Sequence, residues 1–174
     1  MTDGKIDKII FLDIDHVLTN TDIDGTSFRH LDPSKYHLSE VNLKWLDKIL
    51  DATSAKIVIA SNWRKFSPPN TRWLYDGKWY ESTLEPFKEM YKSCIIGMLP
   101  PERHIPKSGC LDLWFESNKW FSKEEGKYAI LEDDLREGYQ DNATYAKHLV
   151  LTDYRYGLTE DDALRAVSIL NAPH

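Results

Sequence analysis

The chain has 174 residues, 41% of them apolar, and a formal net charge of −6. That length buries a core without disulfides or a structural metal and points to one domain spanning residues 1–174. The acidic balance argues against a long nucleic-acid groove, which needs a basic face, and leaves open a small phosphorylated substrate or a nucleic-acid end.

The first predicted strand runs from about Lys8 to Asp13. Its centre, Ile9-Ile10-Phe11-Leu12, is short and wholly apolar, as in a parallel sheet covered on both faces. It leads straight into Asp13 and Asp15. An unpaired buried charge costs on the order of several kcal/mol. Both acids therefore belong at the end of the strand, where open parallel sheets bind ligands. Two carboxylates this close repel and require a cation or a shared proton. A hard, oxygen-liganded cation such as Mg²⁺ fits best. An Asp pair that only caps a helix or forms a turn is the plainer alternative.

Residues 19–38 read as a short polar flap. Asn20, Asp22, Asp24 and Gly25 mimic the start of a calcium-binding EF-hand loop, but Leu31 stands where its bidentate Glu belongs. A hairpin turn at Asp24-Gly25 is the better reading. The first helix is predicted from Ser39, its N-cap, to Leu50, with Val41, Trp45, Leu46, Ile49 and Leu50 on one face. A second buried strand, Lys56 to Ala60, ends in Ser61-Asn62-Trp63-Arg64. It brings a hydroxyl and a cation to the same sheet edge.

A small aromatic insert follows at about residues 65–92. Trp73, Tyr75, Trp79 and Tyr80 read mainly as a subsidiary core or hairpin. One or two of them, with Arg72, are candidates for lining a substrate entrance. A short helix is expected at Glu85 to Tyr91 and a third strand at Ser93 to Met98. The loop from Leu99 to Ser108 carries Arg103, His104 and Lys107. A helix from Gly109 to Ser122 and a fourth strand, Tyr128 to Leu131, come next. That strand ends in Glu132-Asp133-Asp134. A fifth strand covers His148 to Leu151, and the last helix opens on a capping box at Thr159 to Asp162. Strands alternating with helices predict an α/β fold on a mainly parallel five-stranded sheet. Cys94 and Cys110 lie outside any C-x-x-C spacing and read as reduced thiols. No leader pattern stands at Met1 and no apolar run is long enough to span a bilayer, so a cytoplasmic, membrane-free location is expected. Nothing in the pattern sets the oligomeric state.

Three strand ends thus carry polar groups: Asp13 and Asp15, then Ser61, then Glu132 and Asp133. They converge only if the three strands are parallel neighbours. Phosphoryl transfer uses this set: a carboxylate attacks phosphorus, cations and hydroxyls hold the oxygens, and a second acid protonates the leaving group.

The chain resembles the haloacid dehalogenase-like (HAD) hydrolases. Phe11-Leu12-Asp13-Ile14-Asp15-His16-Val17-Leu18-Thr19 matches the first motif, Ile57-Val58-Ile59-Ala60-Ser61 the second, and Ala129-Ile130-Leu131-Glu132-Asp133-Asp134 the fourth. Ser61 to Arg64 and the stretch from Tyr154 to Leu170 further resemble the small HAD domains associated with RNA-repair proteins. The resemblance implies a Rossmann-like three-layer sandwich with minimal cap insertions, and an Mg²⁺-dependent phosphatase. Asp13 would be the nucleophile that forms an aspartyl-phosphate. Asp15 would serve as general acid and then base, lending its backbone carbonyl to Mg²⁺. Ser61 would hold a phosphoryl oxygen, and Asp133 would bind Mg²⁺ with Glu132 or Asp134 in support. The basic residue of the third motif is Lys107, with Arg103 as its rival. Asn62, Arg64 and His16 are the candidates for touching substrate.

Two departures stand out. His16 occupies a position where the family most often has Gly, which either brings it to the substrate or marks an ordinary surface histidine. Arg64 either clamps a second anionic group or forms a structural ion pair. The implied substrate is a nucleotide or a nucleic-acid 3′-phosphate end. The alternatives are a phosphoacceptor signalling domain and a non-catalytic HAD-fold binding protein. Receivers accept phosphate in mid-chain, which disfavours the first. A general acid two residues after a nucleophile disfavours the second.

Overall fold

The structure is a computed structural model, and it describes residues 6–19, 38–62, 72–75, 78–81, 84–102 and 104–173. The predicted flap apart from its end residues Thr19 and Leu38, the EF-hand-like stretch, Trp63, Arg64 and Arg103 lie outside the described residues.

Five strands form one sheet in the order β5-β2-β1-β6-β7, and every neighbouring pair is parallel. These are β1 (Lys8–Leu12), β2 (Lys56–Ile59), β5 (Ile95–Met98), β6 (Lys127–Glu132) and β7 (Leu149–Leu151). The predicted parallel α/β fold is therefore present. A separate antiparallel pair, β3 (Arg72–Tyr75) and β4 (Lys78–Glu81), is the expected hairpin of the aromatic insert.

Successive side chains of a strand point to opposite faces. Ile10 and Leu12 of β1 join Ile57, Ile59, Ala129, Leu131 and Val150 in the core under α1 (Glu40–Thr53) and α5 (Glu160–Asn171). Ile9 and Phe11 join Val58, Tyr128, Ile130 and Leu149 in a second core under α3 (Lys107–Ser117). Burial on both faces is why these strands are apolar without alternation, and it makes the three-layer sandwich. Phe11 anchors the second core edge-on to Trp114, with ring centroids 5.1 Å apart.

Local chemistry sets the helix ends. The Ser39 side chain accepts the Asn42 N–H and starts α1, as predicted. The Thr159–Asp162 capping box starts α5. Helix α3 differs from expectation: it begins two residues earlier, at Lys107, and ends at Ser117 rather than Ser122. Its N-cap, Pro106, has no side chain able to accept a hydrogen bond, so the signal for the start lies elsewhere in the chain. The remaining helices are α2 (Leu84–Met90) and α4 (Ala143–Ala146). Cys94 and Cys110 are free thiols. Among the described residues no helix is long and apolar enough to cross a membrane.

The chain passes from β1 to β2 and β5 on one side, then returns to β6 and β7 on the other. The order reverses between β1 and β6, which places a crevice at their carboxyl ends.

Candidate active site at the carboxyl edge of the sheet

Register brings the three polar strand ends together. Leu12 pairs with Ile59 on one side and with Leu131 on the other. The ladder runs one step further through Asp13 N–H to Leu131 O at 3.0 Å and Ala60 N–H to Leu12 O at 2.7 Å. Asp13 and Glu132 therefore lie side by side where the sheet ends, and Ser61 follows one residue after Ala60 on the other side of Asp13.

A cavity of about 310 Å³ opens there, lined by Asp13, Asp15, His16, Asn62, Lys107 and Asp133 together with Asp134, Arg136, Glu137 and Tyr154. Two larger cavities, of about 650 and 510 Å³, are lined partly by residues 119–127 and lie away from the acids. Of the predicted site residues, Asp13, Asp15, His16, Asn62, Lys107 and Asp133 meet in one place. Ser61 is fully buried at the end of β2 and is not part of the cavity wall.

Lys107 is the pivot. Its side chain is buried, and Nζ lies 2.5 Å from Asp13 Oδ2 and 2.8 Å from Glu132 Oε2. The second Asp13 oxygen accepts the Ile14 N–H at 2.7 Å. Burial works against the ammonium, but Asp13 and then Glu132 outweigh it and hold Lys107 charged well above its ordinary range.

The three acids of the fourth motif have separate tasks. Glu132 is buried and turns both oxygens to Lys107, while Oε1 also accepts the N–H groups of Asp133 and Asp134 at 3.2 Å. Asp134 faces Arg136, which donates to both of its oxygens, and that pairing lowers its pKa. Asp133 makes no ion pair of that kind among the described residues, and Lys107 pulls its pKa only partly back down. Burial and then the charge of Asp13 push its pKa up to about 7. Burial and Asp13 also push Glu132 well up, against the pull of Lys107.

Asp13, Glu132 and Asp133 can each offer a carboxylate oxygen within 4.8 Å of the others. Among the described residues the Lys107 ammonium is the cation that faces these acids, so the three carboxyl groups repel one another and favour a bound cation or a shared proton. The donors are all hard oxygens, the set that suits Mg²⁺.

His16 holds a left-handed backbone, with φ of 55°. Its N–H donates to Thr19 Oγ1 at 3.0 Å, and its carbonyl accepts from the Thr152 hydroxyl at 3.1 Å. These two bonds offset the cost of placing a side chain in a glycine-like conformation. The imidazole is buried edge-on to Tyr154, with ring centroids 6.3 Å apart. Burial lowers its pKa, while a backbone hydrogen bond with Tyr154 and the charge of Asp13 act the other way.

Glu137 and Tyr154 went unrecognised as site residues in the sequence. Glu137 accepts the backbone N–H of Lys107 at 2.7 Å and the Asn62 Nδ2–H at 3.3 Å. It supplies the acceptor that Pro106 lacks. An acid four residues after Asp133, at the end of the one-turn 3₁₀ helix Leu135–Glu137, is the signal the sequence offers. Tyr154 follows β7, a fourth strand end whose polar residues extend the same edge.

A Rossmann-like parallel sheet, with paired acids on its first strand and a buried lysine between that strand and an acidic fourth motif, defines a HAD-type fold and site. Residues 9–163 match the family model of the HAD domain in Swiss Army Knife RNA repair proteins, and the chain belongs to that family. No curated protein and no solved structure matches it.

Proposed function

We propose that this protein is an Mg²⁺-dependent phosphomonoester hydrolase that works through an aspartyl-phosphate on Asp13. The observation that carries the reading is Lys107 Nζ, buried between Asp13 and Glu132 in the wall of an acidic cavity.

An incoming phosphoryl group is anionic and so is its attacker. Lys107 offsets part of that repulsion and fixes the Asp13 carboxylate. The Ile14 N–H holds the second Asp13 oxygen, which leaves the carboxylate few orientations. An Asp13 oxygen bonds to phosphorus as the P–O bond to the leaving group breaks. The electron pair goes to the leaving oxygen, and Asp15 supplies its proton. Water then attacks the phosphoryl group while Asp15 takes up a proton, which frees inorganic phosphate and the Asp13 carboxylate. Ser61 is the candidate for holding a phosphoryl oxygen. Asp13 and Asp133, with the Asp15 carbonyl, would hold Mg²⁺, since Glu132 is engaged with Lys107 and Asp134 with Arg136. Bound there, Mg²⁺ would neutralise charge on the carboxylates and the phosphoryl oxygens.

The substrate end is a nucleotide or a nucleic-acid 3′-phosphate. The family's association with RNA repair and the open rim of the cavity support that choice. The test is phosphate release from p-nitrophenyl phosphate, nucleotides and 3′-phosphorylated oligonucleotides, with Mg²⁺ or with chelator, by wild type and by Asp13→Asn. Metal-dependent release that Asp13→Asn abolishes supports the reading. Wild type that is inert across the panel contradicts it.

A further inference from the structure

Two adjacent strands end in the same turn. After β6 comes Asp134-Leu135-Arg136, and after β7 comes Asp153-Tyr154-Arg155. In each, the arginine N–H donates to Oδ1 of the aspartate two residues earlier at 2.9 Å, and Nε donates to the same oxygen at 2.9 Å. One Nη closes the fork on Oδ2, at 2.7 Å for Arg136 and 2.5 Å for Arg155. Each aspartate thus aims a guanidinium whose Nη1 donors meet no acceptor among the described residues.

The residue between Asp and Arg is large, apolar and exposed in both turns: Leu135 at 50% and Tyr154 at 57%. Tyr156 follows at 59%, and the Arg155 guanidinium lies 5.3 Å from its ring centre and 5.9 Å from that of Tyr154. Arg136 and Tyr154 line the same cavity as Asp13 and Lys107.

This rim is built to stay in place. Asn42 Nδ2 donates to the carbonyls of Tyr156 and Leu158, each at 2.8 Å. Leu158 N–H donates to Val17 O at 2.7 Å, which ties the loop to the turn after β1. Gly157, with φ of +64°, completes the seat, because a Cβ there would meet Val17 O at 2.8 Å and Asn42 Nδ2 at 2.9 Å. The exposed rings are held on a fixed support rather than on a loose loop.

We infer that Tyr154 and Arg155, with Arg136 of the same cavity lining, form a subsite for the nucleotide next to the phosphorylated end of a single-stranded nucleic acid. The inference rests on the hydrolase reading and deepens it. Exposed aromatic faces interleaved with guanidinium groups suit an unpaired base and its backbone phosphate. Each arginine is half-neutralised by its aspartate, so the rim positions a strand more than it attracts one. That fits a chain of net charge −6. A phosphopeptide would offer the phosphate without the flat base.

The test compares a short single-stranded 3′-phosphorylated oligonucleotide with p-nitrophenyl phosphate on wild type, Tyr154→Ala, Tyr154→Phe, and Arg155→Gln. Tyr154→Ala is expected to lower the ratio of kcat/KM for oligonucleotide over p-nitrophenyl phosphate about tenfold, mainly through KM. Tyr154→Phe should restore it, since the ring is what stacks. A parallel measurement needs no turnover: fluorescence anisotropy of the labelled oligonucleotide on Asp13→Asn protein, with and without Tyr154→Ala. It separates failure of the subsite from failure of the hydrolase reading. Equal oligonucleotide affinity with and without the Tyr154 ring overturns the inference. So does a phosphopeptide that binds as tightly as the oligonucleotide.

Discussion

Glu137 Oε2 accepts the backbone N–H of Lys107 at 2.7 Å, so an acid from beyond β6 sets the first residue of α3. The same carboxylate reaches Asn62 at the end of β2 through its other oxygen. One side chain therefore ties two of the site's supporting elements to a third. Glu137→Ala is predicted to cost about 2 kcal/mol in urea unfolding, the scale of hydrogen bonds to a charged group. It should lower kcat more than it raises KM, because Lys107 loses its placement beside Asp13. Unchanged kcat and unchanged stability would show that Glu137 is a bystander.

Lys107→Met leaves Asp13 and Glu132 buried without their cation. Breaking a buried pair by removing one partner costs about 3–5 kcal/mol, and a lower denaturant midpoint is expected at neutral pH. The loss should shrink in acid, where the stranded carboxylates take up protons. A variant as stable as wild type at every pH would contradict the buried cluster.

Divalent metal should stabilise the fold without any substrate. The excess acid of Asp13, Glu132 and Asp133 is relieved by a bound cation, and ligand at a hundredfold over its Kd adds about 2.7 kcal/mol. For a domain of this size that corresponds to a melting temperature higher by roughly 5–10 °C. Asp133→Asn should abolish most of the Mg²⁺-dependent rise. Thermal unfolding with Mg²⁺ and with chelator reads both.

Much of this architecture was visible beforehand. An apolar run ending in Asp13 and Asp15 located the central strand, and Ser61 and Glu132-Asp133 marked its neighbours. Those features depend on local pattern and on the cost of burying charge, which a sequence displays directly. The start of α3 was misplaced because its cap comes from Glu137, thirty positions away, and a distant acceptor leaves no local trace. Tyr154 leaves no local mark for a similar reason: its exposure follows from a loop pinned by Asn42 and Gly157, not from its own neighbours in sequence. The division of labour among Glu132, Asp133 and Asp134 needed coordinates, since three consecutive acids look alike until each one's partner is seen.

The contribution of His148 to stability should fall as pH drops below about 6.5, against the opposite pull of Asp133, whose raised pKa lets the folded chain take up a proton there. His148 lies flat on Tyr128, with ring centroids 3.9 Å apart, and its Nδ1 is 2.8 Å from the Tyr128 carbonyl. A carbonyl only accepts, so Nδ1 carries the proton of a neutral ring. Burial lowers the pKa of His148 below its ordinary 6.5. At this site the unfolded chain therefore binds the extra proton first, and the His148 share of the pH dependence favours unfolding on acidification. His148→Gln should flatten part of this slope in urea titrations between about pH 5 and 7. A slope that is identical in the variant would remove His148 from the account.

The central claim is that Asp13 carries the phosphoryl group. Borohydride reduction during turnover converts an aspartyl-phosphate to homoserine, which mass spectrometry of the peptide containing residue 13 detects. The account predicts that mark at Asp13 only when both Mg²⁺ and a phosphomonoester are present. Turnover with Asp13 unmarked, or with the mark on another carboxylate, would contradict it.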